Sequence, residues 1–69
     1  MTTAIQQFDP GKAKPIWLKT GTSLAVIAAV IGVSKVAVIN WLNGVNVPSY
    51  ENMQRLAQAL QVELDEICS

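Results

Sequence analysis

The sequence predicts an all-α chain, a compact bundle of about five short helices. Three observations carry that reading. From Ser23 to Gly44 the chain runs SLAVIAAVIGVSKVAVINWLNG. A glycine and a serine divide this apolar stretch, and they are the residue types that end one helix and cap the next. Further on, Met53, Leu56, Ala57 and Leu60 recur at i, i+3, i+4 and i+7, the stripe of an amphipathic helix. No segment keeps the period of two that marks a half-buried strand.

The elements follow in order. Residues 1–11, ending in Pro10-Gly11, are expected to form a flexible N-terminal arm, and residues 12–69 the folded domain. A first short helix is expected from Pro15 to Lys19, because proline suits the first helical position. Ser23 caps a second helix, Leu24 to Ile31, which Gly32 ends. Ser34 caps a third, Lys35 to about Leu42, which Asn43-Gly44 ends. Two short helices joined by so tight a glycine turn make a helix-turn-helix. Pro48-Ser49 opens the next helix, Tyr50 to Leu60. Val62, Leu64 and Ile67 then close the core from a last short helical turn. On the helix 35–42, Ala37, Val38 and Trp41 share the inward face, while Lys35, Val36, Ile39 and Asn40 share the other. Trp41 is read as core, and Trp17 as a pin between the first helix and the core.

Composition narrows the function. The chain has 69 residues, 51% hydrophobic and 14% charged, which favours one small domain with a core over disorder. The single cysteine, Cys68, allows no intramolecular disulfide, fits the cytoplasm and reads as a spare terminal thiol. With no histidine and one cysteine, no metal site and no cofactor are expected. The N-terminus lacks the pattern of a signal peptide. A membrane span needs about 20 apolar residues, but Ser34, Lys35 and Asn40 interrupt this stretch, so no membrane is expected. Nor is an enzyme. There is no Cys–His pair and no phosphate-cradling glycine loop, and the only clustered carboxylates are those of the end, Glu63, Asp65 and Glu66. Charge is unevenly spread. Lys12, Lys14, Lys19 and Lys35 face only Asp9 in residues 1–48, whereas Arg55 faces Glu51, Glu63, Asp65 and Glu66 in the remainder. The split hints at an anionic partner for the first part.

The pattern S-L-x-x-I-A-x-x-I-G-V-S-x-x-x-V-x-x-W-x-N-G of Ser23 to Gly44, Pro48, and ENMQRLAQALQVELDEI of Glu51 to Ile67 resemble the Cro/CI-like (lambda-repressor-like) helix-turn-helix family. The resemblance covers about three quarters of the chain. It implies a transcriptional regulator that binds double-stranded DNA as a homodimer, with the helix 35–42 in the major groove. It implies Lys35, Val36, Ile39 and Asn40 as base readers. Lys35 suits guanine or phosphate, Val36 suits thymine methyls, and Asn40 suits the two hydrogen-bonding atoms of adenine. It implies phosphate contacts at Ser23, the Leu24 N–H, Asn43, Asn46 and Lys19. The chain also departs from the family pattern. Leu24 stands where a polar residue is usual, the first helix is shorter, and Ala25, Val26, Ala29 and Val30 replace charged or amide residues.

Those four apolar positions leave two readings open. The arm folds over them through Ile5 and Phe8, or they contact an additional protein partner. The second reading supports an alternative function, an interaction module or an antitoxin that keeps the helix-turn-helix fold and uses the apolar face of the helix 24–31. The acidic end is either solvated or part of a dimer seam.

Overall fold

The computed structural model describes residues 7–69. Four α-helices follow one another, α1 Pro10–Thr20, α2 Leu24–Ile31, α3 Lys35–Leu42 and α4 Tyr50–Leu60, and a 3-10 turn, Leu64–Ile67, closes the chain. The expected five or so short helices therefore resolve as four plus a single tight turn. Among the described residues no strand forms, and the β pairing is one isolated antiparallel bridge between Phe8 and Cys68.

The element that departs most from expectation is α1, which runs Pro10–Thr20 rather than Pro15–Lys19. Asp9 sets its start. Its backbone is extended and its carboxylate accepts the Gly11 N–H at 2.9 Å. Pro10 then takes the first helical position, where a missing N–H leaves nothing unsatisfied. Pro15 sits inside the helix, where it removes the bond to the Gly11 carbonyl. Gly11 is exposed, so water can serve that carbonyl. Pro10 and Gly11, expected to end the arm, thus form the first turn of α1. Of the rest of the expected arm, Gln7 to Asp9 are bonded to the end of the domain, and residues 1–6 lie outside the described residues.

The other helices begin and end where their punctuation places them. Ser23, Ser34 and Ser49 each accept a backbone N–H two or three residues into the helix they precede, from Val26, Ala37 and Asn52. The core lies between α2, α3 and α4. Its largest fully buried side chains are Ile27, Ile31, Val38, Leu56, Leu60 and Ile67. α2 packs on both α3 and α4, and α1 lies across α3, α4 and the closing turn. No single helix among the described residues is long and apolar enough to cross a membrane, and α1 and α2 are bent by 115° from each other.

A clasp joins the two ends of the domain. Asp9 N–H donates to the Ile67 carbonyl at 2.8 Å and Ser69 N–H to the Gln7 carbonyl at 2.9 Å. Lys12 Nζ donates to the Cys68 carbonyl at 2.7 Å. Ser69 Oγ donates to Asp9 Oδ2 at 2.6 Å, and this bond above all holds the Asp9 carboxyl below its ordinary value. That contribution is complete above the ordinary carboxylate range and is lost as pH falls through the lowered value. Cys68 is a free thiol, as expected, but not an exposed one. It is buried beside Met53, its Sγ 3.9 Å from the Met53 sulfur, and burial pushes its pKa up. The clasp brings together residues about sixty positions apart, so no local signal announces it.

Two outcomes follow from this packing. Ile27→Ala, at a site with no exposure, should cost about 2–5 kcal/mol. In urea it should lower the midpoint without changing the slope. Cys68 should react with a soluble aromatic disulfide far more slowly in the native chain than in denaturant, because only the exposed thiolate attacks.

Candidate functional site

The turn between α2 and α3 is built from Gly32, Val33 and Ser34. Gly32 has φ of 88°, in the left-handed region where a side chain is strained. Its N–H and that of Val33 both donate to the Ala28 carbonyl, at 2.8 and 3.0 Å. Ser34 then caps α3 through the Ala37 N–H at 3.1 Å. Arg55, from α4, donates to the Ile31 carbonyl at 3.2 Å and pairs with Glu51 at 2.9 Å. The last turn of α2 is therefore held from outside as well as by its own cap.

From that turn α3 extends with two unlike faces. Val38, Trp41 and Leu42 are buried, and Ala37 is half-buried. On the other side Val36 is 64% exposed and Ile39 38%. Lys35 is exposed and Asn40 half-buried, and neither side chain is engaged in a hydrogen bond among the described residues. Exposure at Val36 and Ile39 comes of spacing, since the inward positions are already filled. Lys35 is the first residue of α3, and the first turn holds no acidic residue. A cation there opposes the helix dipole, and an anion beside it would relieve that cost. The four side chains thus form one outward surface of one cation, one amide and two aliphatic groups.

The groups expected to contact phosphate lie at helix ends and in the loop after α3. The Leu24 and Ala25 N–H groups, at the start of α2, have no hydrogen-bond partner among the described residues, because Ser23 Oγ serves Val26. Asn43 caps the end of α3, and Val45 and Asn46 N–H donate to the Asn40 carbonyl at 2.8 and 3.3 Å. Ser23, Asn43 and Asn46 are exposed. Lys19 is exposed in the last turn of α1, where a cation suits the helix dipole. A shallow hollow of about 240 Å³ joins several of these parts, lined by Lys14, Trp17, Leu24, Ile39, Leu42 and Asn43. Trp17 Nε1 donates to the Thr22 carbonyl at 2.7 Å, so the indole holds the chain just before the Ser23 cap. Lys14 Nζ donates to Asn43 Oδ1 at 3.2 Å. Lys14 carries no signal of this placement in the sequence, because the contact joins residues 29 positions apart.

The outer face of α2 is apolar. Ala25 and Ala29 are exposed, and Val26 and Val30 are 52% and 61% exposed. Phe8 does not cover them. It is buried next to Cys68 and lines a hollow with Val47 and Met53. Ile5 lies outside the described residues. Among those described, no group of three His, Cys, Asp or Glu residues is placed to hold a metal ion.

The family model described as helix-turn-helix matches residues 18–67. Two solved structures of the P22 c2 repressor resemble the chain. Its DNA-binding domain in solution is 26% identical with a TM-score of 0.79, covering 93% of this chain and 84% of that one. Its crystal structure with synthetic operator 9T is 28% identical with a TM-score of 0.78, covering 88% of this chain and 92% of that one. The restriction-modification controller protein C.AhdI from Aeromonas hydrophila shares the fold at 24% identity, with a TM-score of 0.77 and coverage of 84% and 88%. No curated protein matches the sequence significantly.

The capped turn can be tested by one pair of variants. Ser34→Ala should destabilise the chain by about 1 kcal/mol, whereas Ser34→Gly should cost only a few tenths. Equal losses in urea unfolding would show that the cap does not hold the start of α3.

Proposed function

The chain belongs to the helix-turn-helix family, and from that premise we propose that it is a sequence-specific DNA-binding transcriptional regulator of the repressor type, acting as a homodimer on a two-fold operator. The observation that carries the reading is the outward surface of α3. Val38, Trp41 and Leu42 lock the helix to the core, and Lys35, Val36, Ile39 and Asn40 are left facing out together. On this reading α3 enters the major groove. Asn40 contacts an adenine, Val36 and Ile39 pack on thymine methyls, and Lys35 serves a guanine or a nearby phosphate. Backbone phosphates meet Ser23, the Leu24 N–H, Asn43, Asn46 and Lys19. Half-sites would lie about 34 Å apart, one turn of duplex. Two P22 c2 repressor structures above 25% identity, one solved with operator DNA, support this use of the fold.

A second reading rests on the exposed Ala25, Val26, Ala29 and Val30 of α2, a face with no charge at all. It makes the chain a protein-interaction module, or an antitoxin that also binds DNA.

Selection from random duplex DNA at low salt decides between them. The regulator reading expects a two-fold motif with adenine and thymine in each half-site. Val36→Ala and Asn40→Ala should each reduce discrimination by about 1–3 kcal/mol, while Val26→Glu should leave DNA binding nearly unchanged. Recovery of no motif would end the regulator reading and move the search to the α2 face.

A further inference from the structure

We propose that Lys14 contacts a DNA backbone phosphate and sets the orientation of the Asn43 side-chain amide at the same phosphate site, a role that rests on the DNA-binding reading above. Lys14 belongs to α1, outside the helix-turn-helix itself. Yet its ammonium reaches the residue that caps α3, with Nζ 3.2 Å from Asn43 Oδ1.

That single bond has two consequences. It ties the amide oxygen of Asn43 to α1, so the amide nitrogen, with its two N–H donors, is directed away from Lys14. It also occupies only one of the three protons on the ammonium. The pair therefore offers an anion up to four N–H donors from two adjacent groups, one of them charged. Such charge-assisted bonds are the stronger class.

The surroundings favour an anion. The hollow lined by Lys14, Trp17, Leu24, Ile39, Leu42 and Asn43 contains no acidic residue. The adjoining hollow on the other side of the pair, lined by Pro10, Gly11, Lys14, Pro15, Leu18, Leu42 and Asn43, has none either. The first hollow includes Ile39 from the outward surface of α3 and Leu24 from the start of α2. A strand running past Ile39 would thus pass Lys14 and Asn43 on one side and the free N–H groups of α2 on the other. α1 ties down both sides. Lys14 holds Asn43, and Trp17, one helical turn along, holds the Thr22 carbonyl before the α2 cap.

Neighbouring cations do not duplicate this arrangement. Lys12 lies two residues away, so it points from the opposite side of α1, and its ammonium is bound to the Cys68 carbonyl at 2.7 Å. Arg55 is paired with Glu51 and bound to the Ile31 carbonyl.

The test is a salt titration of the purified chain on its selected duplex and on an unrelated duplex. Lys14→Met, Lys14→Arg and Lys12→Met are compared with the unaltered protein, and circular dichroism checks that each is folded. Lys14→Met should lower the slope of log affinity against log salt by about 0.9 on both duplexes. The ratio of the two affinities should stay within about twofold, since phosphate contacts do not report sequence. Lys14→Arg should restore the slope, and Lys12→Met should leave it unchanged. Asn43→Ala should weaken binding less in the Lys14→Met background than alone, because the amide is no longer held. If Lys14→Met fails to fold, Lys14→Gln carries the same expectation. A Lys14→Met slope equal to that of the unaltered protein, or equal drops for Lys14→Met and Lys12→Met, would overturn the proposal. Absence of any DNA binding by the unaltered chain is a different result. It refutes the regulator reading itself, and this site falls with it.

Discussion

The relation between α2 and α3 is the constraint on which the rest of this molecule depends. Three residues must turn the chain sharply between two helices, and no torsion in them is idle. Gly32 takes a left-handed conformation that strains any side chain, and it lets two N–H groups converge on the Ala28 carbonyl. Ser34 restarts the chain in an extended conformation and caps α3. Once that angle is set, Ile27 and Ile31 of α2 and Val38 and Trp41 of α3 meet in one core. The outward positions of α3 are then exposed by exclusion. Arg55 makes the turn a tertiary feature by binding the Ile31 carbonyl from α4. An arginine in the acidic part of the chain thereby holds α2 while its other nitrogen pairs with Glu51 at the surface.

How much of this was legible depends on the range of the interaction. Serine caps act within three residues, and the glycine turn is local, so α2, α3 and α4 follow from the string of letters. The stripe Met53, Leu56, Ala57, Leu60 is periodic and equally legible. α1 is not, because Pro15 resembles a helix start although Asp9 and Pro10 already supply one. Its apolar pattern is also thin, with Ala13 alone fully buried. The clasp was invisible. Asp9, Lys12, Cys68 and Ser69 meet only after the whole domain has closed, and a lone cysteine near a chain end gives no sign that it will be buried. The outward surface of α3 was legible by helical spacing. Lys14 beside Asn43 was not, because their meeting depends on the true length of α1 and its crossing of α3.

Charge is scarce here, and the structure decides where it goes. Of five basic residues, Arg55 and Lys12 are committed to backbone carbonyls. Lys14 binds the Asn43 side chain, Lys35 belongs to the candidate surface, and Lys19 is exposed in the last turn of α1. A protein that neutralises many phosphates loses affinity steeply with salt. With so few free cations, neutral donors must do much of the holding: the free N–H groups of α2, the amide of Asn43 and that of Asn46. Neutral donors release few counterions. On the proposed function, the affinity of this chain should depend on salt less than that of a strongly basic relative, and a larger share must come from the groove.

That share has a particular chemistry. Among Lys35, Val36, Ile39 and Asn40, half the side chains are aliphatic and only one is charged. Aliphatic groups cannot read a donor and acceptor code. They distinguish bases by filling space against the thymine methyl and by excluding water. Asn40 then carries the hydrogen-bonding part of the code, and it is well placed to do so. Its backbone carbonyl is bound by both Val45 and Asn46, so the residue is anchored while its side chain is left unbound. A short amide side chain flanked by apolar groups has fewer ways to adapt to a wrong base than a long flexible cation. The scarcity of charge and the short side chain of Asn40 point the same way: on the proposed function, this surface gains discrimination from shape and from one short amide on an anchored backbone, not from attraction to the duplex as a whole.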